Sequence, residues 1–577
     1  MARPATTPLR YPEFRNLWAA SIVSNLGSLL QTVAATWLML QLTGSALWVG
    51  LMVAAPTLPL LVVAMPAGAM ADLVERRHVV LVCHAAMALI AALIAALHLG
   101  GLLTPGLLLA LGLALGTAMS INLPSWQAMV PDLVPNGHVA SAVALNSASF
   151  NVARAVGPAL GGVIVATAGP GPAFLANACS YLFVVAVLLR LPKRRMAGDA
   201  ESMSTAIALG LRYARFTPAF RWLLLVAACF GVTSAVVQAA LPNYTSDVLG
   251  AGAGTYGILL GAMGAGALVG AFTRPASAAR LGRWMVPGSI CAFGFAGVAL
   301  GLFQTLPTAV AAMLIAGVLW VWILSTLNAT TQLLSPQWVR GRIMSLYTLA
   351  FLGFLPLGSV LAGLVADLTN PAFALVALSS LTILLGAAVS RFPLPILEQV
   401  VTPTLPLDYQ RPPHVTGVGG GPVMILTTWV IDEDALADFL AAMDDLRRVR
   451  LRTGAYRWRL YRNAGEPHRM TEMFLLHSWE AHLRQHERMD VPGANIVEYA
   501  RTFDVDGGPI TRHLAAIDVI HPEQRPDWDA LVAIHDEMHR ADGALPLPSH
   551  EDAARDDAAR DDATRDDATR DDAARTH

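Results

Sequence analysis

The sequence predicts an all-α polytopic membrane protein with 12 transmembrane helices in two six-helix halves, followed by a small soluble α+β domain. Of the 577 residues, 55 % are apolar and 14 % are charged, whereas about a quarter are charged in ordinary soluble domains. The charges are also unevenly placed. Residues 1–400 contain 19 Lys and Arg and 9 Asp and Glu, and residues 401–577 contain 20 and 32. Only the second part has the charge density of a soluble domain.

Twelve runs in the first part are long and apolar enough to cross a bilayer, which takes about 20 helical residues. They lie near residues 17–42, 46–69, 78–99, 104–126, 140–168, 173–191, 220–244, 254–274, 286–304, 308–332, 343–367 and 372–391. The longest polar break separates six runs from six. The predicted organisation is a first half (1–192), a cytoplasmic central loop (193–218), a second half (219–392), a linker (393–421), a soluble domain (422–520) and a charged low-complexity tail (521–577).

The two halves are weakly similar in sequence. Gln127 and Pro131 follow the fourth run, and Gln332 and Pro336 follow the tenth at the same spacing. Paired six-helix halves are typical of transporters that rock about a central site near the bilayer midplane. The sequence therefore favours a transporter over a channel or a receptor.

Lys and Arg residues predict the orientation of the chain, because they concentrate in cytoplasmic loops. They flank alternate loops, such as Arg76 and Arg77 after the second run and Arg340 and Arg342 after the tenth, whereas the other six loops contain none. Both termini are thus predicted to be cytoplasmic, in a bacterial-type inner membrane with which lipid makes contact.

The charge and cysteine content exclude several classes of function and site. The first part carries a net charge of +10 and the second −12, so no basic footprint for nucleic acid is predicted. All four cysteines lie in apolar runs, which suggests buried thiols rather than a disulfide or metal framework. No cofactor and no metal are expected.

A short motif follows the second run. It contains Gly68, Asp72, Arg76 and Arg77, with Glu75 before the basic pair. It resembles the loop signature of the major facilitator superfamily, in which the glycine permits close helix packing and the aspartate contacts helix ends or cations across the two halves. The alternative is a solvated loop.

A second motif lies in the fifth run and contains Gly157, Pro158, Gly161 and Gly162. It resembles the antiporter motif of drug exporters in that superfamily. Proline and small residues permit a bend and close packing, and packing alone is the alternative.

Two longer stretches indicate which branch of the superfamily the sequence resembles. They are Pro131–Arg154, and Trp338 to Tyr347 with Arg340, Gly341 and Arg342. Both resemble the transmembrane secretion effector branch, which contains enterobactin-type siderophore exporters. The resemblance covers about residues 9–392 and implies export of a small molecule, coupled to protons.

Arg154 is the ionisable residue placed deepest in a predicted span. A buried cation costs at least ~2.5 kcal/mol at a helix centre and usually marks a pathway or an internal pair. We expect Arg154 to face the cavity or to hold an anionic substrate group. A structural bond to carbonyls or to Asn151 is the alternative.

No Asp or Glu falls in the middle of a predicted span, although proton-coupled transporters commonly use such a carboxylate. His84 and His98 flank the third run and are interpreted as interior residues. Proton coupling is therefore implied by the resemblance, without an identified carrier.

Other polar residues lie on helices that line the central cavity in the superfamily. Each could bind the substrate or join helices. They are Asn25, Gln31, Asn122, Gln238, Asn243 and Asn328.

The soluble part shows the pattern βαββαβ. A strand near 423–430 precedes an amphipathic helix near 433–452, strands near 455–462 and 469–477, a helix near 479–489 and a strand near 509–516. This order predicts a ferredoxin-like domain, and it resembles the dimeric antibiotic-biosynthesis monooxygenases.

His482 and His486 share a helix face, a spacing that can hold a metal, but their surroundings indicate a solvated surface. For the soluble domain we expect self-association or regulation, since a fold does not carry chemistry by itself. The prediction is a secondary active exporter of a siderophore-like or drug-like molecule, and not an enzyme. The alternatives are an importer on the same scaffold and a membrane-tethered oxygenase or sensor.

Overall fold

The computed structural model describes residues 7–191, 203–336, 338–392, 394, 422–489 and 491–516. The chain divides into two compact units, Met1–Val401 and Thr402–His577. The predicted tail, most of the linker and residues 193–202 of the central loop lie outside the described residues.

The first half of the membrane unit is helical. Its helices are α1 (Pro12–Thr43), α2 (Ala46–Ala54), α3 (Leu60–Leu73), α4 (Arg76–Leu99), α5 (Pro105–Asp132), α6 (Val139–Ala168) and α7 (Gly171–Arg190). Helix α8 (Met203–Phe216) follows in the predicted central loop. Its Tyr213 and Ala214 are buried against the second half, so this segment is a packed helix rather than a loop.

The second half is also helical. Its helices are α9 (Pro218–Ala239), α10 (Leu241–Asn243), α11 (Ala253–Leu281), α12 (Met285–Leu302), α13 (Leu306–Leu334), α14 (Arg340–Leu352), α15 (Leu355–Leu368) and α16 (Pro371–Arg391). A single π-helical turn, Tyr244–Val248, continues α10.

Nine helical stretches in the described part of the chain are long and apolar enough to cross a membrane. One of them, Ala253–Leu302, contains both α11 and α12 and thus two of the predicted runs. The remaining predicted runs, 46–69 and 140–168, coincide with α2 plus α3 and with α6. Every one of the twelve apolar runs is therefore helical.

Three runs are broken where continuous helices were predicted, and the seventh has only a one-residue break at Ala240, between α9 and α10. The second run is interrupted at residues 55–59, where Pro56 and Pro59 remove backbone donors. The eleventh is interrupted at Gly353 and Phe354, between α14 and α15. In contrast, α5 and α11 continue six or more residues past their predicted ends.

The most extensive contacts between the halves are those of α6 with α11 and of α2 with α15. A Cβ atom on Gly162 would lie 2.6 Å from the Cα atom of Gly257, and one on Gly363 would lie 2.4 Å from the carbonyl oxygen of Ala46. Real Cβ atoms essentially never approach so closely. Glycine is therefore required at both crossings for the backbones to meet.

The second unit contains a four-stranded antiparallel sheet. Its elements are β1 (Val423–Val430), α17 (Leu436–Thr453), β2 (Arg457–Arg462), β3 (Arg469–Leu476), α18 (Trp479–Glu487), α19 (Val491–Arg501) and β4 (Ile510–Ala515). The strand order is β2-β3-β1-β4, with antiparallel neighbours. This is the ferredoxin-like arrangement that the sequence predicts, with the further helix α19 between α18 and β4.

Candidate transport site

A cavity of about 520 Å³ lies within the first half. Helices α1, α4, α5, α6 and α7 provide its walls. The lining residues are Ser21, Ser24, Asn25, Ser28, His84, Met87, Met119, Asn122, Leu123, Trp126, Gln127, Asn146, Phe150 and Tyr181. The lining therefore combines hydroxyl, amide and aromatic groups, and none of the described residues contributes a carboxylate to it.

Two of the predicted cavity residues, Asn25 and Asn122, line this cavity. The Oδ1 atom of Asn122 is buried and has no hydrogen-bond partner among the described residues. Leaving a buried acceptor unpaired costs about 1–3 kcal/mol. Asn122 is therefore placed to receive a hydrogen bond from a bound molecule.

Several lining residues were not predicted. On α1 these are Ser21, Ser24 and Ser28, which share a helix face with the predicted Asn25 at i, i+3, i+4 and i+7 spacing, a pattern that could have indicated a polar face. The hydroxyl groups of Ser28 and Tyr181 lie 2.9 Å apart, which joins α1 to α7. His84, interpreted from the sequence as an interior residue, is buried and lines the cavity as well.

Arg154 lies beside the cavity rather than in its lining. It is half-buried on α6, and its guanidinium carbon lies 5.7 Å from the ring centroid of Phe150, which is a lining residue. Among the residues that the structure describes, it has no ion-pair partner. The side chain of Asn151 lies outside the described residues.

Four predicted cavity residues lie outside this lining. Gln31 is buried between α1 and α7, where its Oε1 atom accepts a 2.6 Å hydrogen bond from Asn177, so it joins helices. Asn328 accepts a 2.6 Å hydrogen bond from Gln332 on α13. Gln238 and Asn243 belong to the second half, and the buried Oδ1 atom of Asn243 has no partner in the described ranges.

The antiporter-like motif packs α6 against two helices. Gly157 faces Leu29 of α1, since a Cβ atom there would lie 2.8 Å from the Leu29 Cβ atom. Gly161 likewise lies close to α1, whereas Gly162 and the carbonyl group of Pro158 lie against Gly257 of α11. The motif thus brings α6 into contact with its own half and with the other half.

The predicted loop motif is mostly helical. Gly68 and Asp72 belong to the last turns of α3, which extends further than predicted, and the Asp72 side chain lies outside the described part of the structure. Arg76 pairs with Asp132 of α5 at 2.8 Å. The Nε atom of Arg77 donates a 2.8 Å hydrogen bond to the carbonyl of Leu188, near the end of α7.

The corresponding residues of the second half begin α14. The Nε atom of Arg340 donates a 3.3 Å hydrogen bond to the carbonyl of Ser335, at the end of α13. Gly341 faces open space, and Arg342 lies against Gly210 of α8. Arg340 and Arg342 thus connect α14 with α13 and α8.

The histidine pair of the soluble domain is more buried than predicted. His482 is 2 % exposed, and the Nε2 atoms of His482 and His486 lie 3.4 Å apart. Burial, together with the nearby His486, His513 and Arg450, lowers the pKa of His482 well below its usual value. Within the described ranges, no three His, Cys, Asp or Glu side chains are arranged to hold a metal ion.

The family comparison decides what kind of protein has this cavity. The model of the transmembrane secretion effector family of the major facilitator superfamily matches residues 4–519. The chain belongs to this family. Its members are transporters, which confirms the prediction that the chain works by transport rather than as an enzyme.

The relatives of this transmembrane secretion effector protein are exporters and transporters. The multidrug efflux pump Tap of Mycolicibacterium fortuitum is 28 % identical over 64 % of this chain and 92 % of the pump. The staphyloferrin A transporter of Staphylococcus aureus is 23 % identical over 61 % and 88 %. The enterobactin exporter EntS of Shigella boydii is 27 % identical over 63 % and 87 %.

Solved structures support the fold of the membrane unit. A bacterial homologue of the human lysosomal transporter Spinster, in an inward-facing and unoccupied conformation, is 15 % identical with a TM-score of 0.56. It aligns over 69 % of this chain and 100 % of that one. A point mutant of the nucleoside transporter NupG is 14 % identical with a TM-score of 0.57, over 66 % and 99 %. The chain is a multi-pass major facilitator transporter of small molecules.

Proposed function

We propose that this protein exports a siderophore-like or drug-like molecule from the cytoplasm by alternating access, in exchange for protons. In this proposal the protein lies in the inner membrane and both termini face the cytoplasm. The exporters among its relatives favour this direction over import and over an oxygenase or sensor.

The observation that carries the proposal is the cavity of the first half. Its volume of about 520 Å³ lies within the roughly 300–1,000 Å³ of typical small-molecule sites. Asn25 and Asn122 offer amide groups, and Trp126 and Phe150 offer aromatic surface. Such a lining suits a molecule with aromatic rings and several hydroxyl or amide groups.

The charges around the cavity favour a neutral or anionic substrate. Arg154 lies one helical turn from the lining residue Phe150, and no carboxylate of the described residues lines the cavity. An organic cation would thus meet a like charge without a counter-ion, whereas an acidic group would be attracted to Arg154. We therefore rank siderophore-like acids and phenols above cationic drugs.

Contacts between the halves support alternating access. Asp367, at the end of α15, binds the first residues of α2, and Gly50 and Gly363 bring these two helices together. In the predicted topology these contacts lie on the side away from the Arg-rich loops. They are compatible with a state that is closed to the outside, from which the halves rock apart.

The test is substrate accumulation in efflux-deficient bacteria that do or do not produce the protein, before and after an uncoupler. Labelled iron-free enterobactin serves as the acidic, phenolic probe and ethidium as the cationic probe. We expect lower accumulation of enterobactin, reversed by the uncoupler, and a smaller effect on ethidium. Equal accumulation of both probes with and without the protein would contradict the proposal.

A variant pair connects this activity to the cavity. Asn122→Ala removes the unpaired acceptor of the lining. Gln304→Ala removes an amide between α12 and α13, where its Nε2 atom donates to the carbonyl of Gly301. Only Asn122→Ala is expected to raise enterobactin accumulation.

Self-association through the soluble domain also remains a proposal. It is supported by apolar side chains on the sheet face opposite the buried Val423 and Ile425, namely Leu514 at 46 % and Ile510 at 63 % exposure. Leu514→Glu is expected to lower the mass of the purified protein in detergent from dimer to monomer. A monomeric mass for the wild type as well as for Leu514→Glu would contradict this proposal.

A further inference from the structure

His84 is a titratable side chain within the cavity. It lies on α4 and is 4 % exposed. Its ring centroid is 5.6 Å from that of Trp126 on α5 and 5.9 Å from that of Tyr181 on α7. Both neighbouring rings line the same cavity.

The hydrogen bond of one ring nitrogen fixes the tautomer. The Nδ1 atom of His84 lies 2.9 Å from the carbonyl oxygen of Val80. A carbonyl oxygen can only accept, so Nδ1 carries a hydrogen atom in both the neutral and the charged ring. The proton that titrates is therefore on Nε2, which forms no hydrogen bond with any residue in the described part of the chain.

The groups around His84 leave its charge without a fixed partner. From α7 it faces Tyr181, whose hydroxyl group is bonded to Ser28 of α1. From α5 it faces the neutral Trp126, and Asp132 at the end of that helix is already paired with Arg76.

The other helices near His84 are α6, α4 and α3. Among their described side chains, none places a carboxylate in the cavity lining. On α6 the charged group is Arg154, which lies against Phe150. On α4 itself Cys83 is buried beside His84. On α3, which also packs against α4, the side chain of Asp72 lies outside the described residues.

We infer that Nε2 of His84 is the proton-carrying atom of the transport cycle, an inference that rests on the proposed proton-coupled export. The neutral atom has one lone pair. A hydroxyl group of the substrate can donate to that lone pair, or a proton can bind it and form an N–H bond, but not both.

This competition produces antiport. A proton that enters from the outside converts Nε2 from acceptor to donor, so the hydrogen bond from a neutral hydroxyl group of the substrate is lost and the substrate leaves. When the proton is lost to the cytoplasm, the lone pair is again free for substrate. The charged ring then lies within 6 Å of the ring centroids of Trp126 and Tyr181, the distance range over which an aromatic ring can attract a cation.

The first test measures transport by the full chain in proteoliposomes with labelled iron-free enterobactin. His84→Gln keeps an acceptor oxygen but cannot be protonated. We expect this variant to retain substrate exchange in the absence of a pH gradient. The accumulation driven by a pH gradient should fall at least about tenfold. His98→Gln is the matched control, since His98 lies on the same helix with its ring against Phe174, outside the cavity lining. Gradient-driven accumulation at the wild-type level in His84→Gln would overturn the inference.

The second test needs no substrate. Full-length protein with ¹³C-labelled histidine rings is titrated in lipid nanodiscs by NMR, and the resonance missing from His84→Gln identifies His84. We expect reversible protonation between about pH 4 and pH 9, with the titration displaced to lower pH when enterobactin is added. A resonance that does not titrate over that range overturns the inference, whatever the transport result. If the wild type transports neither probe but His84 titrates, the proposed function fails while the proton site stands.

Discussion

The carboxylate of Asp367 accepts a 2.5 Å hydrogen bond from the backbone N–H group of Ala46 and thereby joins the two halves of the transporter. Its other oxygen accepts hydrogen bonds from the hydroxyl group of Ser45 at 2.6 Å and from the N–H group of Leu47 at 3.2 Å. An acidic side chain of α15 thus caps the N-terminus of α2, where unpaired N–H groups and the helix dipole attract negative charge.

Removal of this carboxylate should favour the state in which the halves separate at this end. Loss of a helix cap costs about 1 kcal/mol, which corresponds to a shift of about fivefold in a two-state equilibrium. In Asp367→Ala we expect spin labels at the exposed residues Leu42 and Leu368 to show an increased population of long distances.

The control is Asn370→Ala. Its Oδ1 atom accepts a 2.8 Å hydrogen bond from the N–H group of Phe373 and caps α16 within the same half. That variant should lose a similar capping energy without changing the distance distribution. If Asp367→Ala and Asn370→Ala showed the same spin-label distance distribution, the Asp367 contact would not hold the halves together.

Gly162 should tolerate no side chain, because a methyl group would lie 2.6 Å from the Cα atom of Gly257. Overpacking of this kind costs about 1–3 kcal/mol. Gly162→Ala is therefore expected to lower the thermal unfolding temperature of the purified protein and to reduce transport. Gly254→Ala is the control, since its added methyl group would meet Ala166 at an ordinary 3.6 Å. A Gly162→Ala protein as stable and active as Gly254→Ala would mean that α6 and α11 are not held at this distance.

Arg154 is expected to be needed for export but not for folding. Arg154→Ala should abolish export of enterobactin and leave the amount of protein in the membrane unchanged, because it removes the charge next to the cavity. Arg283→Ala provides a control, since Arg283 also lies over a neighbouring ring, that of Trp284, but on an exposed turn. Full transport by Arg154→Ala would refute a role for this charge.

The sequence predicted those features that are encoded locally. Apolar length located all twelve helical runs, and strand and helix periodicity located the elements of the soluble domain, because each depends on neighbouring residues alone. The breaks at residues 55–59 and at Gly353 were missed, since helix ends depend on packing as well as on composition.

The roles of individual polar residues could be predicted only in part. Asn25 and Gln31 are both amides on α1, yet Asn25 lines the cavity and Gln31 is bonded to Asn177, 146 positions further along the chain. Composition does not distinguish these two environments. His84 was predicted only to lie in the interior. Its contacts with Trp126 and Tyr181 bring together three different helices, and local sequence does not encode them.

The soluble domain should lose stability in mild acid through His482. Burial and the nearby His486, His513 and Arg450 lower the pKa of this histidine in the folded state well below the usual 6.5. The unfolded chain therefore binds a proton that the folded chain does not, and stability present above about pH 6.5 is lost as the pH falls below it. Hydrogen exchange of α18 in the full-length protein, corrected for the intrinsic rate, should increase as the pH falls from about 7.5 to about 5.5.

His482→Gln should remove most of this increase, whereas His477→Gln, at an exposed histidine of the same domain, should keep it. The same acid response in all three proteins would assign it to another group.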